Sequence, residues 1–133
     1  MRQINDAADM NANPSSHAAP QERLAALLVL LSIALGAMGA HLLKAQLEAT
    51  PTGLEVWKTA AQYHGLHAVA LYFLAGRNRV AWWCLLGGVV IFSGTLYVLA
   101  LTGVKWLGAI TPIGGVLMMV GWLWLAIKGR KAP

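Results

Sequence analysis

The sequence predicts an all-α membrane protein, a bundle of four transmembrane helices with both termini in the cytoplasm. Three observations carry this. Hydrophobic residues make up 58% of the 133-residue chain, against roughly 45–50% apolar in ordinary soluble proteins. Charged residues make up only 11%, under half of the usual ~25%. The apolar residues are gathered into four long runs with no Asp, Glu, Lys or Arg inside them: 24–43, 59–76, 80–101 and 106–127. A small soluble domain has a high surface-to-volume ratio, and ten basic with five acidic side chains cannot clothe one of this size. Lipid is the solvent that such a composition suits.

Each run follows from the same physics. About 20 apolar residues are needed to cross ~30 Å of hydrocarbon as a helix. Inside the bilayer every backbone N–H and C=O must be paired within the protein, which favours helices. The runs are too long for strands and lack a period of two. The first lies between Arg23 and Lys44, the second between Lys58 and Arg77, and the fourth between Lys105 and Lys128. The third ends at Thr102-Gly103.

Before the first run, residues 1–22 form a polar tail rich in Asn, Ala, Ser and Pro, with too little apolar surface to fold. It is unlike a mitochondrial transit peptide, having one Arg and two Asp. A signal peptide over 24–35, cleaved near Ala37-Met38-Gly39, is a rival reading. The apolar run continues to Leu43, however, and cleavage would leave three spans. The domain thus covers 23–128, followed by a short basic tail, 129–133.

Between the first two runs, Thr50-Pro51-Thr52-Gly53 breaks the only long loop. Thr52 and Glu55 have capping-box spacing, so the second helix is expected to begin there, outside the hydrocarbon.

Basic residues assign the sides. Arg2, Arg23, Arg77, Arg79, Lys128, Arg130 and Lys131 share one side of a four-span chain, and Lys44, Lys58 and Lys105 the other. The positive-inside rule then puts both termini in the cytoplasm, with the chain in the cell (inner) membrane. All six tryptophans, Trp57, Trp82, Trp83, Trp106, Trp122 and Trp124, fall near helix ends, where amphipathic rings suit the headgroup region. The net charge of +5 is spread over loops rather than clustered as a phosphate-tracking patch, so nucleic acid is excluded as a partner. One cysteine, Cys84, excludes an intrachain disulfide framework.

The residues able to carry chemistry are few. His41, Tyr63, His67, Ser93, Tyr97 and Thr111 form a candidate intramembrane polar cluster. His64 and His67 are i,i+3 neighbours on one helical face. With His41 they make a possible metal or haem set, since imidazole suits Zn, Cu and Fe. The depths of His41 and His67 differ by about 9 Å at 1.5 Å rise per residue, and no thiolate or carboxylate stands near, so no metal or cofactor is assigned. His41 and His67 are expected to be neutral, inward-facing and hydrogen-bonded, because a charge at the bilayer centre costs at least ~2.5 kcal/mol. Pro112 removes the helical partner of the Gly108 carbonyl and predicts a kink, with Thr111, Gly114 and Gly115 beside it. Small residues recur at helical spacing: Ser32, Gly36 and Ala40, with Gly39 nearby; Cys84 and Gly88; Thr111 and Gly115; Gly114 and Gly121. Such spacing lets helix backbones approach in lipid.

Absences narrow the function. The spans hold no carboxylate of the kind proton-coupled carriers use. No Ser-His-Asp set, phosphate loop or zinc spacing occurs. The expected protein is therefore not an enzyme but a small integral membrane protein, an accessory or structural subunit of a membrane complex, whose partners are the lipid bilayer and other membrane subunits. A carrier or small-molecule binder using the Pro112 kink and the His41/His67 pair is the alternative. A metal- or haem-binding redox protein is the second.

Four blocks in order carry a resemblance. Gly36-Ala37-Met38-Gly39-Ala40-His41, then Trp57-Lys58-Thr59-Ala60 with Tyr63 and His67-Ala68, resemble the first half of the bacterial family called domain of unknown function 423. Phe92-Ser93-Gly94-Thr95-Leu96-Tyr97 and Gly108-Ala109-Ile110-Thr111-Pro112-Ile113-Gly114-Gly115 resemble its second half, as does Gly121-Trp122. The likeness covers 24 to about 127, and the family is similar to the animal transmembrane protein 256. It implies a small four-helix membrane protein and no established activity. His64 and the N-terminal tail lie outside the family pattern.

Overall fold

A computed structural model describes residues 18–129. The helices are α1 (Ala18–Ala40), α2 (Lys44–Glu48), α3 (Gly53–Leu74), α4 (Arg79–Thr102) and α5 (Leu107–Lys128). Among the described residues there is no strand. Among the described residues three helices are long and apolar enough to cross a membrane: Pro20–Ala40, Arg79–Thr102 and Leu107–Lys128. Helix α3 matches α5 in length at 22 residues, about 33 Å at the helical rise. It is less apolar, because it carries Glu55, Lys58, Gln62, His64 and His67.

Most of the expected polar tail and most of the basic tail lie outside the described residues. Helix α1 begins at Ala18, so residues 18–22 are helical where a tail was expected. It stops at Ala40, three residues short of the apolar run. The chain turns at 41–43, and the short α2, unforeseen in the sequence, packs Leu47 fully buried against Trp57 and Ala100. Helix α3 starts at Gly53 as expected, but no capping box forms. Thr52 stands at φ 63° and its side chain caps nothing. A capping hydroxyl needs an extended backbone to reach the third helical N–H, and the left-handed backbone at Thr52 denies it that reach. Glu55 pairs with Lys58 instead, at 3.3 Å. Helix α4 has the better start: Asn78 is extended and its side chain accepts from the Ala81 N–H at 3.1 Å. Gly103, at φ 67°, ends it.

The helices pack in sequence, α1 on α3, α3 on α4 and α4 on α5, while the backbones of α1 and α5 approach nowhere within 8 Å. The arrangement is an open row rather than a closed square bundle. The start of α1, the α3–α4 connection and the end of α5 share one end of it: Gln21 Oε1 accepts from the Gly76 N–H at 2.8 Å, and Asn78 Nδ2 donates to the Gly129 carbonyl at 3.1 Å. The opposite end holds α2 and the α4–α5 connection, and there Thr50 Oγ1, in the turn between α2 and α3, donates to the Ala100 carbonyl in the last turn of α4 at 3.2 Å. Two apolar clusters result. One joins Ala25, Leu71, Leu74, Trp82, Leu85, Val89 and Met118; the other joins Leu47, Trp57 and Ala100.

Candidate functional site

The least apolar of the four long helices, α3, sits where the polar contacts meet. Its buried residues include Ala60, His64, His67, Ala68 and Leu71. Polar groups in hydrocarbon turn toward protein because lipid offers them no partner, and each neighbouring helix answers α3 with a hydrogen bond. Trp57 Nε1 donates to the Leu35 carbonyl of α1 at 2.9 Å. Ser93 Oγ of α4 donates to the Ala60 carbonyl at 3.0 Å, and Trp82 Nε1 of α4 to the Leu71 carbonyl at 3.1 Å. His64 Nδ1 and the Tyr97 hydroxyl stand 3.3 Å apart. Trp122 Nε1 of α5 donates to His67 Nε2 at 3.1 Å.

His67 shows how complete this satisfaction is. An indole N–H can only donate, so Nε2 carries the lone pair and Nδ1 carries the proton. Nδ1 lies 2.8 Å from the Tyr63 carbonyl and donates to it. Both nitrogens of a neutral imidazole are then engaged. Coordinating a metal through Nε2 would require the Trp122 bond to break. His64 and His67 share a helical face, yet one meets α4 and the other α5, so they do not converge on one ligand.

The sequence-derived cluster is thus distributed. Tyr97 stacks edge-on to Trp57, with centroids 4.7 Å apart, and meets His64. Ser93 bonds α3. Tyr63 serves through its backbone carbonyl, and its exposed ring packs on Phe92. Thr111 belongs to the α4–α5 seam, where its hydroxyl is 2.8 Å from Thr95 Oγ1 and 3.1 Å from the Leu107 carbonyl. His41 is exposed in the turn after α1, its N–H bonded to Ala37 at 3.1 Å, and the structure does not bring it to His67. Among the described residues no three His, Cys, Asp or Glu side chains gather to hold a metal.

The packing residues divide as well. Gly114 is at the closest crossing: a Cβ there would stand 2.5 Å from the Phe92 nitrogen and 2.7 Å from the Gly88 carbonyl oxygen. Gly39 lies under the Trp57 indole. Gly115 has ordinary room beside the Phe92 ring, and Gly36 faces open space. Helix α5 runs unbroken through Pro112, which is exposed.

Two of the six tryptophans near helix ends are buried between helices. Trp57 is 3% exposed and Trp82 is 1%. Trp82 meets a need the sequence reading missed, since the last four carbonyls of a helix lack internal partners. Leu71 has one of those carbonyls on α3, and Trp82 reaches it. Trp122 was missed as the partner of His67. A depth count from the shared end could have found it: His67 is seven residues before Leu74, and Trp122 six before Lys128.

With this geometry in place, comparison with known proteins decides the family. A family described as "Protein of unknown function (DUF423)" matches residues 35–115. The chain belongs to the DUF423 family. The chain is 38% identical over 117 residues to the UPF0382 membrane protein YwdK of Bacillus subtilis, covering 81% of this chain and 94% of that protein. It is 47% identical over 115 residues to the UPF0382 membrane protein SSP2132 of Staphylococcus saprophyticus, with the same coverage. A third relative, the UPF0382 membrane protein SH2409 of Staphylococcus haemolyticus, is 44% identical over 115 residues, covering 81% and 93%. No solved structure matches. The chain is a helical membrane protein, and nothing in its relatives' names indicates catalysis. The DUF423 match covers α2, α3 and α4 whole, together with the Gly108–Gly115 block of α5, and so includes the hub helix and the Gly88–Gly114 crossing.

Proposed function

We propose that this DUF423 protein crosses the cell membrane four times, with both termini in the cytoplasm, and serves as a non-enzymatic accessory subunit of a membrane complex. The observation that carries the reading is that Trp57, His64 and His67 of α3, and the α3 carbonyls of Ala60 and Leu71, are all engaged by α1, α4 or α5. Groups spent on holding helices together are not free to bind or move a solute. What the fold offers outward is apolar: Leu27, Leu30 and Ile33 on α1, and Ile113, Val116, Met119, Leu123 and Ile127 on α5, each more than half exposed. The basic bias of the shared α1-start and α5-end supports its cytoplasmic placement.

The test is extraction of the tagged chain, at its native level, in a mild detergent. The expected result is migration with a defined membrane protein whose abundance falls when this chain is deleted. A chain that migrates alone, with no membrane protein changed by its deletion, would end the accessory reading. Topology is checked separately in a Cys84→Ala background. A cysteine placed near Gly53 should label from outside intact cells and one placed after Lys131 should not; the reverse pattern would overturn the orientation.

A further inference from the structure

The two ends of the molecule treat their cations differently. At the α2 end, Lys44 stands 3.9 Å from Glu48 and Lys58 stands 3.3 Å from Glu55, and Lys105 is the one cation there with no carboxylate within 4 Å among the described residues. At the other end, Arg77, Arg79 and Lys128 have no carboxylate within 4 Å among the described residues, although Glu22 of α1 belongs to that end. They line one concavity of about 480 Å³, together with Gly76, Asn78 and Trp124. Its walls are tied. Asn78 caps α4 through the Ala81 N–H and holds the end of α5 through the Gly129 carbonyl. Lys128 Nζ lies 5.9 Å above the Trp124 ring, a cation and an amphipathic ring at headgroup depth.

An apolar cleft of about 410 Å³ opens beside it between α3 and α5, lined by Ala70, Phe73, Leu74, Trp122 and Leu125. The two cavities are neighbours along both helices. Leu125 and Lys128 are i,i+3 on one face, and the Arg77 N–H closes the turn onto the Leu74 carbonyl at 3.0 Å. Uncompensated cations at the mouth and a lipid-deep apolar cleft below match one chemical class, an anion joined to a long hydrocarbon chain. Guanidinium groups bind phosphate oxygens through paired, charge-assisted hydrogen bonds, and basic pockets between membrane helices take anionic lipid headgroups.

We propose that this end of the protein is a binding site for an anionic diacyl phospholipid, its phosphate held by Arg77, Arg79 and Lys128 and one acyl chain lying in the Phe73–Trp122 cleft. The inference requires only that the chain lie in a bilayer and is independent of the accessory role.

The test is native mass spectrometry of the full chain, released from mixed micelles of phosphatidylglycerol and phosphatidylcholine with matched acyl chains. Wild type should retain phosphatidylglycerol in preference to phosphatidylcholine. Arg79→Gln and Lys128→Gln should each cut that preference about fivefold, while Lys44→Gln and Lys58→Gln should leave it unchanged. Ala70→Phe, which fills the cleft, should reduce retention of phosphatidylglycerol. Both cation variants replace exposed side chains, and an unchanged unfolding temperature in detergent would verify their fold. Equal retention of the two lipids by wild type would overturn the site. So would equal loss in the Lys44 and Lys58 variants, which would mean a general surface charge effect. Displacement by glycerophosphoglycerol or inorganic phosphate as effective as by the lipid would show a soluble phosphate site and overturn the acyl-chain assignment.

Discussion

Two seams of this fold hold helices together by different means. Between α4 and α5, backbones come close because glycine faces glycine: Gly88 and Gly114 meet, with Met118 and Phe92 closing around them, and Gly121 sits against Leu85 and Cys84. Around α3 the backbones are held by side chains that reach across, from Trp57, Trp82, Ser93, Tyr97 and Trp122. Lipid tails are as apolar as leucine, so burial supplies little force between membrane helices; packing and hydrogen bonds do. The first seam uses mainly packing, the second mainly polar reach. The difference teaches where the molecule tolerates change. A packed backbone crossing has no slack, whereas a set of single hydrogen bonds loses one modest contribution at a time.

Gly114→Leu should have the largest effect. The added side chain meets the Phe92 and Gly88 backbone, and overpacking costs roughly 1–3 kcal/mol even where side chains can yield. We expect a loss of ~3 kcal/mol or more in detergent unfolding; wild-type stability would mean that α4 and α5 do not cross there. Trp82→Phe comes second. It keeps an aromatic side chain, though a smaller one, and leaves the buried Leu71 carbonyl without its indole donor, a cost of ~1–2 kcal/mol, read from the denaturation midpoint. A larger loss than that of Gly114→Leu would reverse the ranking of the two seams. Replacing His67 comes third. Leu removes the acceptor of the Trp122 N–H, and membrane hydrogen bonds average ~0.6 kcal/mol; Asn retains an acceptor and should cost less. Should Asn and Leu do equal harm, with bound metal or haem lost from both, the structural role assigned to His67 would give way to a ligand role. Gly36→Ala is the smallest. A Cβ there meets nothing within 4 Å, so stability should hold, or rise by up to ~1 kcal/mol from helix propensity. A marked loss would show that α1 carries a close contact at Gly36 in the membrane.

The same contrast separates what was legible beforehand. The composition and the four uncharged runs determined that the chain is helical and built for lipid, because hydrogen-bonding the backbone in hydrocarbon leaves few alternatives. The uncharged runs 80–101 and 106–127 fall on α4 (Arg79–Thr102) and α5 (Leu107–Lys128), where Gly103 and the flanking Lys105 and Lys128 end the apolar stretches. The glycine spacing pointed to a close crossing without saying which glycines make it: Gly114 does and Gly36 does not, since spacing defines a face and only packing supplies the opposing helix. Helix α2 went unseen because five residues carry too little periodicity to announce a helix. The polar cluster was the least legible part. His41 and His67 were both expected to face inward in one polar cluster, but the turn at 41–43 leaves His41 exposed, and His67 is answered by Trp122, 55 residues away. Trp57 and Trp82 likewise resemble interface anchors in one dimension. Side-chain type sets what each group needs, a donor, an acceptor or a dry surface. Which group meets that need depends on the depth and rotation of antiparallel helices, and only their packing against one another fixes those.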